Sequence, residues 1–510
     1  MKKFVAIMLA LTMMLGLIPS LAEETDQITG WVSHVSNFDL FPFPVLSTIE
    51  AEAGVKVDWT PYERRDWISR KANILSSEEL PDVMIGCTLD NMDVRNGLFL
   101  DLNDYMDLMP NVKAFFDAVP DARAMATDEN GAIYAIPNCV ALRCQSGDVL
   151  YVNKEWCDTL GIALPETTED YYNMLVRFRD EDPNGNGQQD EIGFTSYGML
   201  AGTSDYLVTA GYLAWVFPAF GVVTNHSDTY CMVKDGVPEF QPMTDNYRAA
   251  LEYLAKLYAE NLIDHEFFSM GFAEAAAKFQ SDPLTVGSGA GWTPQTFCGD
   301  KADSYVAIAP LTGPNGDKYW NASDYFYKMT ANIAAIPASS KNPEAAARFI
   351  NACYDQWNGL QLTYGSEGVS FTRDEQGNPV LMDPPEGYTA DNWTMINGLV
   401  VGAPTWCSAE YEASIVGESS LKIKAEYDQF YAPYFLESSK MPYLAFDAMT
   451  QEELAILRTD INSYIQQSLA QFIVNGVTDE SWNVYLDTLK RMNVDRLIEI
   501  YTTAYNKTVN

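Results

Sequence analysis

The run Asp182-Pro183-Asn184-Gly185-Asn186-Gly187-Gln188-Gln189-Asp190-Glu191 carries the sharpest chemical signal in the chain. Counted from Asp182, oxygen-bearing side chains fall at positions 1, 3, 5 and 9, and the glycine at position 6 makes a sharp turn. Alternate residues of a tight loop point inward, and Gln188 at position 7 can offer its backbone carbonyl. A hard cation takes about six to eight oxygens, which such a loop can supply. Position 12, where a bidentate Glu is expected, is Gly193, so Glu191 must close the shell instead. A structural Ca2+ is therefore expected on Asp182, Asn184, Asn186, Gln188, Asp190 and Glu191. A shell filled by protein oxygens leaves no open position for catalysis. The plain alternative is an Asn- and Gly-rich surface turn without metal.

A second signal is aromatic, with 11 Trp and 29 Tyr in the chain. Trp31, Trp292, Trp320, Tyr325, Trp393 and Trp406 stand near predicted strand ends beside Gly, Asn or Asp, not on helical stripes. A flat ring suits the apolar face of a pyranose, while neighbouring carboxylates and amides bind hydroxyls. Any one of these tryptophans could equally be an ordinary core or rim residue; as a set they point to a ligand cleft. Catalytic signatures are mostly absent. There is no phosphate loop, HExxH or GxSxG, and the three histidines are scattered at 34, 226 and 265. Gly287-Ser288-Gly289-Ala290-Gly291 misses the dinucleotide pattern because Trp292 stands where its last glycine belongs. Paired glycosidase carboxylates stay open as a reading, since 70 acids guarantee chance pairs.

These groups must be positioned by a folded scaffold. The 510 residues are 47% hydrophobic and 20% charged, which excludes a disordered or coiled-coil chain and suggests two to three domains. A formal charge of -38 repels phosphate backbones and argues against nucleic-acid binding. Residues 1–22 read as an export signal: Lys2 and Lys3, an apolar stretch over 4–17, Pro19, then the cleavage site Ser20-Leu21-Ala22. The other reading is an uncleaved anchor. A lipid-anchored protein would carry cysteine at the cleavage point, but the first cysteine is Cys87. Eight cysteines permit disulfides in an exported protein or serve as small buried thiols.

Short β-type runs alternate with helical patterns, the mark of an α/β fold. Strands are expected at Val55-Lys56-Val57-Asp58-Trp59, Asp82-Val83-Met84-Ile85, Val149-Leu150-Tyr151-Val152-Asn153, Leu284-Thr285-Val286, Tyr305-Val306-Ala307-Ile308 and Ile333-Ala334-Ala335-Ile336. A turn followed by a strand is expected over 130–137. Tyr247, Leu251, Leu254 and Tyr258 share one helical face. Asn342-Pro343-Glu344 opens a helix that buries Phe349, Ile350 and Cys353. A long helix from Glu452 carries Leu454, Leu457, Ile461, Ile465, Leu469 and Phe472 and stops at Gly476.

Six segments, in order, resemble the extracellular solute-binding proteins of ABC importers, a family that includes maltose- and alginate-oligosaccharide-binding proteins. They are Pro81-Asp82-Val83-Met84, the 130–137 turn and strand, Tyr151-Val152-Asn153-Lys154-Glu155-Trp156 with the following Leu160-Gly161-Ile162, the Asp182 loop, Ile336-Pro337-Ala338-Ser339-Ser340-Lys341-Asn342-Pro343, and the endings Trp482-Asn483-Val484-Tyr485 and Ala504-Tyr505-Asn506. The loop matches the calcium site of the alginate-oligosaccharide branch, which closes its shell with an acid pair. The resemblance implies a two-lobed α/β periplasmic-binding-protein-like fold with a hinged interlobe cleft. By that analogy the N-terminal lobe is 23–146 plus 310–356, and the C-terminal lobe 147–309 plus 357–510.

It further implies a monomeric, non-enzymatic protein that captures an oligosaccharide and delivers it to a membrane permease. Trp292 matches the stacking tryptophan of maltose binders, and Asp90 and Asn91 match a hydroxyl-binding stretch. Trp31, Trp215, Trp320, Trp393 and Trp406 are further carry-overs. Other readings are a peptide or anionic-glycan binder served by Arg143, Lys154 and Lys328, a secreted glycan-cleaving enzyme, or a sensor or adhesin on the same fold. The missing lipid cysteine departs from the family pattern and leaves surface retention unexplained.

Overall fold

Two separate sheets organise the chain. The computed structural model describes residues 25–509 apart from 35–40, 78, 88, 90–92, 95–96, 129, 141–145, 147, 197–212, 224–228, 322–328, 386–387, 389, 409–419, 443 and 445. The first seven strands are β1 (Asp26–His34), β2 (Val55–Glu63), β3 (Val83–Ile85), β4 (Ala135–Val140), β5 (Val149–Asn153), β6 (Ile192–Thr195) and β7 (Cys231–Lys234). They are followed by β8 (Val237–Phe240), β9 (Val286–Gly291), β10 (Tyr305–Ala307), β11 (Met329–Ala335), β12 (Phe371–Arg373), β13 (Pro379–Leu381) and β14 (Trp406–Cys407).

The first sheet has the order β14-β4-β11-β3-β1-β2, and the second β10-β5-β9-β6. In the first, β1 runs parallel to β2 and β3, β11 runs antiparallel to β3 and β4, and β14 is parallel to β4. One end of that sheet therefore gathers the C-terminal ends of β1, β2, β3, β4 and β14. In the second, β6 is parallel to β9, and both β9 and β10 are antiparallel to β5. Its corresponding end gathers the C-terminal ends of β6, β9 and β10. The chain passes between the two cores after β4, after β10 and after β14; the strands flanking the first two passages meet these two ends, and β14 runs out at the same end of the first sheet. These ends are where a ligand cleft belongs.

Both faces of the first sheet are covered, as the period-2 alternation of strand side chains requires. Ile28 and Val32 of β1, with Val83 and Ile85 of β3, pack into one cluster with the helix Pro343–Cys353. Trp31 and Met84 point the other way, into a cluster with Trp67, Ile74 and Phe99. The second sheet shares one hydrophobic core with the helices Thr168–Asp180, Asp245–Ala259, Ala448–Asn475 and Val494–Val509. The expected helix signals hold. Asn342 accepts from the Ala345 N–H at the start of its helix, and Gly476 ends the long helix at φ +83°.

The glycine run 287–291 is strand β9. A Cβ on Gly287 would lie 2.4 Å from Phe178, and one on Gly289 would lie 2.4 Å from Phe279. The missing side chains let those rings lie against the backbone, so the run serves packing. The expected strand at Leu284-Thr285-Val286 starts only at Val286.

Two segments pack elsewhere than the expected lobe boundaries put them. Residues 357–407 belong with the first sheet: β14 pairs with β4, and Leu362, Leu399 and Ala403 join its core. Ile308, Leu311 and Trp320 join the core of the second sheet. The third crossing thus falls after residue 407, not at 356, because β14 completes the sheet edge.

All seven described cysteines are buried. Burial pushes the Cys157 thiol up to about 11, and drives those of Cys87, Cys298 and Cys353 higher still. Alkylation of the native protein is therefore expected to spare Cys87, Cys157, Cys298 and Cys353, while unfolding exposes all four. Peptide mapping after iodoacetamide treatment checks this, and modification of any of them at native pH 7 would contradict it. Among the described residues no helix is long and apolar enough to cross a membrane.

Candidate functional site

The acidic loop lies at the end of the second sheet away from the chain crossings. It leads directly into β6 at Ile192. The Asn184 side-chain amide donates to the Leu284 carbonyl at 3.2 Å, and the Ile192 N–H donates to the Thr285 carbonyl at 2.8 Å. Those bonds fix the loop to the segment that feeds β9.

Within the loop, Asp182 accepts from the N–H groups of Asn186 and Gly187 at 3.1 and 2.9 Å. The Asn184 and Asn186 side-chain oxygens accept from the Asn186 and Gln188 N–H groups. Asp190 accepts from the side-chain amides of Asn184 and Asn186, each at 3.1 Å. Gly185 and Gly187 take φ of +72° and +74°, which L side chains resist.

Glu191 is the exception in this network. Its Oε1 is buried without a hydrogen-bond partner. Burial pushes its carboxyl above the usual range, and the charges of Asp190 and Asp182 push it further. An orphaned carboxylate oxygen beside two more acids fits a cation. As they stand, no three His, Cys, Asp or Glu side chains among the described residues converge closely enough to grip one unaided. The amide oxygens of the loop would have to complete the shell.

The aromatic candidates separate into three groups. Trp292 is half-buried and immediately follows β9, at the sheet end through which the crossings pass. Trp393 is half-buried on the helix Ala390–Asn397, where its indole N–H donates to the Val369 carbonyl at 3.2 Å. Trp406, in β14, donates to the Tyr354 carbonyl at 3.1 Å and stacks on Phe115 at 5.8 Å. Its face is turned to the first core.

Trp31, Trp215 and Trp320 need correction as stacking platforms, because they are only 5–6% exposed. Trp31 meets Tyr62 and Trp67 edge to face, and Trp320 lies flat on Tyr431 at 4.3 Å. Trp215 is held by Tyr171 and Phe194, yet its Nε1 is buried without a hydrogen-bond partner. Asp90, Asn91 and Tyr325 lie outside the described residues, as do Arg143 and Lys328. Lys154 is paired with Asp158 at 2.7 Å.

Sequence reading misses the role of Asp82. Its carboxylate accepts from the Thr29 N–H and hydroxyl, and from Ser340, Lys341 and Asn342. The Pro81-Asp82 motif and the Ser340-Lys341-Asn342 motif are thus two halves of one clamp.

A family model for bacterial extracellular solute-binding proteins matches residues 33–356. The fructooligosaccharide ABC transporter substrate-binding protein FusA of Streptococcus pneumoniae serotype 4 is 28% identical over 487 residues, covering 91% of this chain and 86% of that protein. The structure of S. pneumoniae FusA in complex with kestose matches with a TM-score of 0.83 at 26% identity, covering 95% of this chain and 99% of that one. An EF-hand mutant of FusA in complex with fructo-nystose matches equally well, with a TM-score of 0.83 at 25% identity and the same coverage. An extracellular solute-binding protein from Bifidobacterium longum subsp. infantis gives 0.84 at 25% identity, covering 96% and 99%. The alginate-binding protein AlgQ2 shares the fold, with a TM-score of 0.74 at 18% identity over 95% of this chain and 98% of its own. With two sheets joined by three crossings and a family match over more than half its length, the chain belongs to the bacterial extracellular solute-binding protein family: it is a two-lobed binding protein and not an enzyme.

Proposed function

We propose that this protein captures an oligosaccharide between the crossing ends of its two sheets and delivers it to the permease of an ABC importer. The observation that carries the reading is Trp292, placed by β9 at the end through which the chain crosses. Among the described residues, one lobe takes those within 25–140 and 329–408 and the other those within 148–321 and 420–509, following the two sheets and their cores. Closure on the sugar shifts an open–closed equilibrium by the ligand's differential affinity for the closed form. The permease reads that closed form. Trp292 stacks on a pyranose or furanose face.

The FusA complexes with kestose and fructo-nystose support a neutral oligosaccharide as the solute class. The orphaned Glu191 oxygen, the loop spacing and the existence of an EF-hand in FusA support Ca2+ on Asp182, Asn184, Asn186, Gln188, Asp190 and Glu191. There the ion would tie the loop together and balance its three carboxylates. The protein works as an exported monomer, with its export signal cleaved after Ala22.

Calorimetric titration with kestose, fructo-nystose, alginate oligosaccharides and short peptides tests the assignment. One glycan should bind, uncleaved, and Trp292→Ala should weaken it by about thirtyfold, the loss of roughly 2 kcal/mol expected of a central aromatic anchor. A peptide as the only binder, or hydrolysis of the glycan, would refute it.

A further inference from the structure

A second aromatic pair lies just outside the cleft edge of the first lobe. Tyr388 is 46% exposed, and its ring meets the half-buried Trp393 at 5.2 Å and 59°. The pair is firmly mounted. Trp393 is held by the Val369 carbonyl, and the next residue, Ser370, accepts from the Met382 N–H at 3.0 Å. Met382, 41% exposed, therefore continues the same surface, with the exposed Asp383 beside it.

The mount is connected to the cleft. The helix Ala390–Asn397 runs into the turn Val400–Gly402, which closes against the ends of β1 and β3. A Cβ on Gly86, just past β3, would lie 2.8 Å from the Ser33 carbonyl and 3.0 Å from that of Gly402. From Trp393 to Asn397 is one helical turn, about 6 Å. Trp393 thus stands one helical turn before the end of the helix, which leads through Gly398 and Leu399 to the turn that closes on the strand ends.

From this we infer that Tyr388 and Trp393 form an outer subsite that stacks on the sugar units of an oligosaccharide projecting from the cleft, so that affinity rises with chain length. This inference rests on the oligosaccharide reading above. A packed ring contact of this kind should let the outer subsite supply a gain of up to about tenfold in affinity.

The test compares dissociation constants for fructo-oligosaccharides from kestose upward, or for the length series of whichever panel glycan binds. In the full-length protein the short member should bind about tenfold more weakly than the long one. Tyr388→Ala should collapse that ratio towards unity, and Tyr388→Phe, which keeps the ring, should retain it. Equal affinities for short and long members in the unmodified protein overturn the inference, as does a ratio that Tyr388→Ala leaves intact. If no glycan of any length binds, the oligosaccharide reading itself fails and the outer subsite falls with it.

Discussion

Replacing Asp82 with alanine is expected to destabilise the folded protein by about 2–4 kcal/mol, on the scale of leaving several buried donors without their acceptor. The side chain is 7% exposed and ties the entry of β3 to β1 and to the segment 340–342. Its Oδ2 accepts from the Thr29 N–H at 2.8 Å and the Thr29 hydroxyl at 3.0 Å. Its Oδ1 accepts from the Ser340 hydroxyl at 3.0 Å and the Lys341 and Asn342 N–H groups at 2.7 and 3.3 Å. Alanine leaves these donors without an acceptor and frees the entry to the helix Pro343–Cys353 from β1.

Burial alone would raise the Asp82 carboxyl, but the hydrogen bonds from Thr29, Lys341 and Ser340 outweigh it and hold the group below 3.8. The carboxylate's stabilisation is accordingly present above that value and fades as pH falls through the lowered folded-state value. Urea unfolding of both proteins checks this. The gap between them should be full at pH 7 and narrow below about pH 4. A variant within 1 kcal/mol of the parent at pH 7 would show that the clamp is ornamental.

Calcium is expected to raise the thermal midpoint of chelated protein by about 5–11 °C. That corresponds to the roughly 2.7 kcal/mol available when free ion exceeds its dissociation constant a hundredfold, spread over a unit of about 150–250 residues. Two substitutions separate metal binding from loop architecture. Asp182→Ala should abolish the rise and lower the baseline, because it also removes acceptors for the Asn186 and Gly187 N–H groups. Glu191→Gln should abolish the rise while leaving the chelated protein as stable as its parent or more so, since it removes a charge whose Oε1 is buried without a hydrogen-bond partner. Scanning calorimetry in chelator and in millimolar calcium distinguishes them. If the parent midpoint ignores calcium, the loop is only a turn.

How much of this was legible in the sequence depends on the range of the interaction involved. Helices announced themselves, because Asn342 capping and the Leu454–Phe472 stripe are written within a few residues. So was the position of Trp292, which follows from the end of a strand. The β14 pairing was not legible: two residues carry no period, and their partner β4 lies more than 260 residues earlier. The amphipathic helix Pro343–Cys353 therefore read as the end of a lobe that in fact continues to residue 407.

Tryptophans were ambiguous for a different reason. Trp320 has Asn and Tyr neighbours just as a sugar-stacking ring would, but its face is filled by Tyr431 from a segment 111 residues away. Residue type fixes what a ring prefers to stack on, not which partner arrives. Asp82 illustrates the same limit, since neither half of its clamp signals the other.

The order β4-β11-β3 also sets a timetable for the ribosome. β3 and β4 emerge early, yet they are never neighbours; the strand that must slide between them ends at Ala335, whose partner is Ala135. At about 5–20 residues per second, those 200 residues take roughly 10–40 s to synthesise. Throughout that interval β3 offers an open backbone edge that any passing strand could occupy. A nascent chain of this design gains from remaining unfolded until the strand ending at Ala335 has emerged.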